Sequence, residues 1–194
     1  MNRLFCVMGK SASGKDTIFK SLVEDKDLSL HLVTPYTTRP RRAGERDGVE
    51  YHFVSSETFE AMHSLGKVIE ARSYHTVHGI WTYFTADDGQ IDFARGDYII
   101  IGTLETYAQF RSYFGEERVV PIYIEVEDGV RLTRALMREK AQDEPRYAEM
   151  CRRFLADCED FSEEKIQALG IQQRFVNNDF DRCLSQIKRM IKNL

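Results

Sequence analysis

The 194 residues leave room for one substantial core, and a second full domain would be crowded. Hydrophobic residues make up 42% and charged residues 30%, and a net charge of −4 gives no surface-wide attraction to nucleic acid. No apolar run approaches the roughly 20 residues needed to cross a bilayer, and the apolar start is broken at Gly9-Lys10, too short for a secretory signal.

In chain order, Arg3–Met8 reads as a buried strand running into a glycine-rich turn. A helix over Asp16–Glu24 follows, with Ile18, Phe19, Leu22 and Val23 on one stripe. Leu30–Pro35 is a further strand candidate. Tyr36–Phe84 breaks the strand–helix rhythm: turn signals at Gly44 and Gly48 accompany β-rich pieces at Tyr51–Val54 and Val68–Tyr74, and a helix near Glu57–Ser64. Beyond it come strands over Asp97–Ile101, Val119–Val126 and Arg174–Val176, with helices over about 103–114, 129–140 and 145–168. The last helix carries Phe180, Leu184, Ile187, Ile191 and Leu194 at helical spacing, with Asn178 or Asp179 as its cap. This alternation predicts an α/β fold with a mainly parallel sheet flanked by helices, bearing a small α+β insertion at the carboxyl edge, where such folds place ligands. Cys6, Cys151, Cys158 and Cys183 form no C-x-x-C pair, which predicts reduced thiols packed as small apolar residues. These features together suit a cytoplasmic enzyme without nucleic-acid or membrane partners, and leave monomer and homodimer both open.

Gly9-Lys10-Ser11-Ala12-Ser13-Gly14-Lys15 fits the phosphate-binding pattern G-x-x-x-x-G-K between a strand and a helix. The glycines let the backbone curl its N–H groups toward phosphate oxygens, the helix N-terminus adds partial positive charge, and Lys15 reaches the β- and γ-phosphates of a nucleoside triphosphate. The hydroxyl residue usual after the lysine is replaced by Asp16, followed by Thr17. A carboxylate there is either a ligand for Mg²⁺, directly or through water, or a cap for the helix.

A second constellation is Thr37-Thr38-Arg39-Pro40-Arg41-Arg42-Ala43-Gly44-Glu45-Arg46, continuing to Tyr51. Guanidinium forks and a tyrosine hydroxyl suit an anion site, although by composition alone nucleic acid or a solvated charge run serve as well. Glu70, after Val68-Ile69, reads on its own as a surface residue.

The run T-T-R-P-R-R-A-G-E-R-D-G-V-E-Y-H-F-V-S, with the loop before it and Glu70 after it, closely resembles guanylate kinase, as does Val176-Asn177-Asn178-Asp179-Phe180-Asp181. The resemblance implies a P-loop NTPase-type domain over 1–194, with a core over 1–35 and 85–194, a GMP-binding insertion over 36–84 and a helical lid over about 136–153. It implies transfer of the ATP γ-phosphoryl group to GMP, with Mg²⁺. On that basis Arg39, Arg42 and Tyr51 hold the GMP phosphate, joined by Tyr83 from the hairpin after Glu70. Glu70 accepts from guanine N1–H and the 2-amino group. Lid residues Arg138 and Arg153 serve the transferring group, Asn177 contacts adenine, and Arg146 and Arg152 are solvated.

The chain departs from the family at several points. Near Pro35 the family usually carries a serine that contacts the guanine carbonyl, which leaves Thr34 or Thr37 to replace it. The acidic strand end L-D-I-D is Ile101-Gly102-Thr103-Leu104, leaving Asp16 and Glu105 as candidate carboxylates near the metal. The Gly-Lys-Asp ending of the loop also resembles the kinase that phosphorylates ribose 1,5-bisphosphate. A non-catalytic guanylate-kinase-like binding module is the third reading, although such modules tend to lose the phosphate loop.

Overall fold

The structure is a computed structural model and describes every residue except Val77 and His78. Five strands make the parallel central sheet: β1 (Leu4–Met8), β2 (His31–Leu32), β7 (Tyr98–Ile101), β8 (Val119–Glu125) and β9 (Arg174–Val176), in the order β2-β7-β1-β8-β9. Every residue of β1 is buried because helices cover both faces, so the strand reads as an unbroken apolar run. Its odd and even residues serve separate cores. Leu4, Cys6 and Met8 pack with α3 (Leu104–Phe114) and α6 (Glu163–Ala168), whereas Phe5 and Val7 pack with α1 (Lys15–Val23) and α7 (Phe180–Lys192). In α7, Cys183, Ile187 and Ile191 are the fully buried stripe, and the Asp179 carboxylate caps the helix by accepting from Arg182 N at 2.9 Å.

The insertion forms a second sheet of order β4-β3-β6-β5, from β3 (Tyr36–Thr37), β4 (His52–Phe53), β5 (Val68–Thr76) and β6 (Gly79–Ala86), with α2 (Ser56–Ser64) beside it. Strands β5 and β6 pair antiparallel as a long hairpin, and Phe59 of α2 packs on Phe84 with ring centroids 4.9 Å apart. One side chain ties this sheet to the core. Gln109 of α3 accepts from Ala71 N at 3.0 Å and donates to Ala71 O at 3.3 Å.

Two expected elements differ. The strand expected over Leu30–Pro35 is confined to His31–Leu32. Val33 N still reaches Ile99 O, but Thr34 N turns to the Gln90 side chain and Pro35 has no N–H to donate. The single helix expected over 145–168 is two, α5 (Tyr147–Asp160) and α6, because buried Phe161 turns in against Tyr123 and Ser162 starts a new cap. The remaining helix, α4, is Asp128–Lys140. Of the four free cysteines, Cys6 and Cys183 are buried as expected, whereas Cys158 is half-buried and Cys151 exposed.

Candidate active site

The phosphate loop lies between β1 and α1 and is held from below. Gly9 is obligatory for space, since a Cβ there would sit 2.6 Å from Ile124 O and 2.8 Å from Ser13 Oγ. Gly14 has φ +83°, and a Cβ on it would lie 2.5 Å from Asn177 Nδ2. Gly14 is also the N-cap residue of α1 and has no side chain to offer, so the capping role considered for Asp16 does not occur. Asp16 instead projects from the first helical turn, largely exposed, with Oδ2 3.5 Å from Lys15 Nζ. Thr17 beside it is also exposed.

Asn177 is buried beneath the loop, where its Nδ2 donates to Ser13 O at 2.8 Å. Its amide therefore braces the loop, while its neighbours Val176 and Asn178 line an adjacent groove of about 360 Å³ with Lys10 and Asp128. The loop is clamped from above by residues that pattern reading did not single out. Asp157 of α5 accepts from Ser11 N at 2.7 Å, and Arg131 of α4 donates to Ser11 O at 2.9 Å. Arg131 is 1% exposed; it also bonds Asp128 at 2.7 Å, lies 3.5 Å from Asp157 and covers the Phe154 ring.

A cleft of about 1190 Å³ opens beside the loop and brings Lys15, Asp16, Arg42, Tyr51, Tyr83 and Arg153 to one space. Arg153 also reaches Ser11 Oγ at 3.5 Å. Arg138 is exposed on α4 and shares a small crevice with Ser11 and Arg153. Arg152 is exposed as expected, and it lines the cleft while paired with Glu149 through two 2.7 Å bonds. Arg146 remains exposed.

Arg39 stands behind this surface rather than on it. It is 4% exposed and gripped by Glu45, with 2.7 and 2.5 Å bonds, and its guanidinium carbon lies 5.1 Å from the Tyr51 ring centroid. Glu45 accepts also from Arg42 N at 2.8 Å, and these bonds hold its carboxyl down at about 2. Glu45 thus ties Arg39 to the main chain at Arg42, a role concealed by its place in a turn signal. Tyr83 joins the cluster, edge-on to Tyr51 at 5.6 Å and interacting with Arg39.

Glu70 is 1% exposed, not the surface residue its local context suggests. Oε1 accepts from Thr85 Oγ1 at 2.9 Å, whereas Oε2 has no hydrogen-bond partner, and burial pushes the carboxyl above its ordinary range. Arg72, not anticipated, approaches Oε2 with Nε at 3.3 Å and lines the cleft. The Thr37 hydroxyl is buried and donates to Thr82 O, and Thr34 does not line the cleft, so neither stands ready to replace the contact missing at Pro35. Glu105 does not line the cleft and accepts from Gln109 at 3.4 Å.

Residues 1–83 match the family model described as Guanylate kinase. Guanylate kinase of Paraburkholderia xenovorans is 27% identical over 192 residues, covering 97% of this chain and 78% of that protein. The Cupriavidus pinatubonensis guanylate kinase is 26% identical, covering 97% and 82%. Identity to the Schizosaccharomyces pombe guanylate kinase rises to 42% over a shorter stretch of 64 residues, 33% of this chain and 32% of that one. A crystal structure of guanylate kinase from Anaplasma phagocytophilum shares the fold, with a TM-score of 0.65 at 20% identity over 99% of this chain and 85% of the other. Relatives along nearly the whole length, and a fold that agrees with them, lead to one conclusion: the chain is similar throughout to guanylate kinases.

Proposed function

We infer that this protein transfers the γ-phosphoryl group of ATP to GMP, giving ADP and GDP. The observation that carries the inference is that one cleft is lined both by Lys15 of the phosphate loop and by Arg42, Tyr51 and Tyr83 of the insertion, so two anions can meet there. In-line phosphoryl transfer requires such positioning and neutralisation of charge more than covalent help.

The loop amides and Lys15 hold the donor phosphates, and the groove at Val176 and Asn178 takes the donor base. Arg42, Tyr51 and Tyr83 take the acceptor phosphate directly. Arg39 adds charge from behind, and turns to the phosphate only by releasing Glu45. Arg153, already near Ser11, and Arg138 close with the lid to offset charge on the transferring group and exclude water. The attacking phosphate oxygen is already ionised, so no side chain is needed as a base.

Among the described residues there is no group of three His, Cys, Asp or Glu side chains able to hold a metal alone. One exposed carboxylate, Asp16, at the loop lysine fits a magnesium ion that arrives on the nucleotide, since that ion uses one or two carboxylates plus phosphate oxygens. The ion supplies neutralisation of the β- and γ-phosphate charge. No helix among the described residues is long and apolar enough to cross a membrane.

A coupled ADP-release assay against GMP, AMP, UMP, CMP and ribose 1,5-bisphosphate tests the assignment. GMP should be the preferred acceptor; preference for ribose 1,5-bisphosphate, or no ADP release with any acceptor, would overturn it.

A further inference from the structure

We propose that Arg72 reads the carbonyl of the acceptor base, its guanidinium donating to guanine O6 while Glu70 beside it accepts from N1–H and the 2-amino group. The proposal rests on the reading of GMP as acceptor. It assigns to a residue of this chain the contact that Pro35 lacks the hydroxyl to make.

Strand β5 places Glu70 and Arg72 two residues apart on one face, opposite Thr85 and Tyr83 of β6. Their side chains are 0% and 14% exposed, and Glu70 Oε2 lies 3.3 Å from Arg72 Nε. Neither of these two buried atoms has a hydrogen-bond partner. Buried polar atoms in a folded protein are nearly always satisfied, so an ion pair without hydrogen bonds at these two atoms, Glu70 buried behind an Arg72 that lines the cleft, points to a ligand that completes it. Arg72 itself lines that cleft, near enough to Tyr51 and Tyr74 to act on both electrostatically.

The neighbouring hydroxyls are committed elsewhere. Thr37 donates to Thr82 O, Thr85 donates to Glu70 Oε1, Ser73 pairs with Thr82 at 2.9 Å, and Thr103 pairs with Thr106 at 3.2 Å. Pro35 lines the cleft and offers no donor. Arg72, ion-paired to Glu70 but without a hydrogen bond at Nε, is left as the cationic donor beside the carboxylate.

The pattern also fits the base. Along its pairing edge guanine presents an acceptor and then two donors, O6, N1–H and the 2-amino group. A guanidinium beside a carboxylate presents the complement, a donor and then two acceptors. Adenine places an amino group where O6 would be, so its donor would face the Arg72 donors. The arrangement therefore selects 6-oxopurines by repulsion as well as by attraction.

The test compares GMP with 6-thioguanosine monophosphate, which keeps N1–H and the 2-amino group but puts a weakly accepting sulfur in place of O6. Wild-type protein should favour GMP in kcat/KM by about tenfold or more, as expected for loss of a hydrogen bond in a site built to make it. In Arg72→Met the GMP value should fall to near that of the thio analogue, and the preference should shrink to within about twofold. Arg72→Lys keeps a charged donor without the fork and should retain an intermediate preference; it also serves if the methionine variant fails to fold. ATP binding at the donor site and the melting temperature report folding in each variant.

A preference unchanged in both variants overturns the proposal, as does a wild-type protein that uses the two nucleotides equally. If Arg72 instead holds the acceptor phosphate, both nucleotides lose the same factor and their ratio stays fixed. Wild-type protein that ignores GMP in the acceptor panel overturns the kinase reading itself, and this proposal with it. GMP turnover with an unaltered ratio sinks Arg72 alone.

Discussion

Arg131→Met removes the cation that α4 buries over the phosphate loop, and the geometry sets the size of the effect. Methionine preserves much of the side-chain bulk against the Phe154 ring while deleting the charge and every donor. Asp128 is 47% exposed at the side chain, so losing that pair costs no more than about 1 kcal/mol. Ser11 O loses its 2.9 Å bond, a cost of roughly 1–3 kcal/mol where water cannot replace the donor. Asp157, 16% exposed, keeps Ser11 N but loses its cation, and breaking a buried pair from one side costs roughly 3–5 kcal/mol. These contributions overlap, and the expected total is about 3–5 kcal/mol, dominated by the stranded aspartate. For a chain of this length the melting temperature should fall by roughly 6–20 °C, at about 2–4 °C per kcal/mol. Because Ser11 loses one of its two main-chain fastenings, KM for ATP should rise, whereas KM for GMP should hold, since the residues proposed for the acceptor sit on the insertion. Denaturant titration and initial rates with each substrate varied in turn provide the measurements. Destabilisation below about 1 kcal/mol with unchanged KM for ATP would refute the clamp. A cycle with Asp157→Asn should show coupling, the double variant costing less than the sum of the singles.

Other outcomes follow from the same geometry. Lys15→Ala should leave the fold intact and remove about 3 kcal/mol or more of transition-state stabilisation, and near-normal turnover in the folded variant would sink the phosphoryl-transfer scheme. Asp16→Asn should raise the Mg²⁺ concentration needed for half-maximal rate; an unaltered Mg²⁺ curve and rate would remove Asp16 from the metal's surroundings. Glu70→Gln should lower kcat/KM for GMP by about tenfold to a thousandfold and for inosine monophosphate by less, whereas Arg42→Ala should weaken both alike. Burial raises the Glu70 carboxyl, so the residue is ionised above that raised value and protonated below it. KM for GMP should therefore climb as pH falls, beginning where ordinary glutamates are still ionised, while KM for ATP stays level. The same upward shift means the folded chain holds this proton more tightly than the unfolded one, so Glu70's contribution to stability grows as GMP binding fails. A flat GMP profile down to the ordinary glutamate range would contradict the burial argument.

The parallel sheet, the phosphate loop and the last helix were legible because each rests on local pattern: five consecutive apolar residues in β1, glycines at fixed spacing, a repeating stripe in α7. The arginines proposed for the acceptor phosphate were singled out through resemblance. What escaped was pairing across distance. Arg131 is separated by 26 residues from Asp157 and by 120 from Ser11, and no periodicity announces a cation whose partners converge only on folding. Glu45 was hidden in a turn, and Arg72 in a strand whose alternation explains it equally well as an exposed charge. The break between α5 and α6 was missed for the opposite reason. Helical propensity continues through Phe161, and only the pull of the core against Tyr123 ends the helix there.

The bonds from Gln109 to both main-chain groups of Ala71 bear on how portable the acceptor preference is. Ala71 lies between Glu70 and Arg72, so the position of both side chains is referenced to α3 of the core as well as to β6, which pairs with their strand. Transplanting residues 36–84 into another scaffold of this fold would move the arginines and tyrosines intact, yet leave the base-reading pair without its fixed datum. A graft that aims to carry guanine selectivity must bring Gln109 along, or rebuild its amide from the host. Loss of selectivity with retained phosphate affinity would be the signature of a transfer made without it.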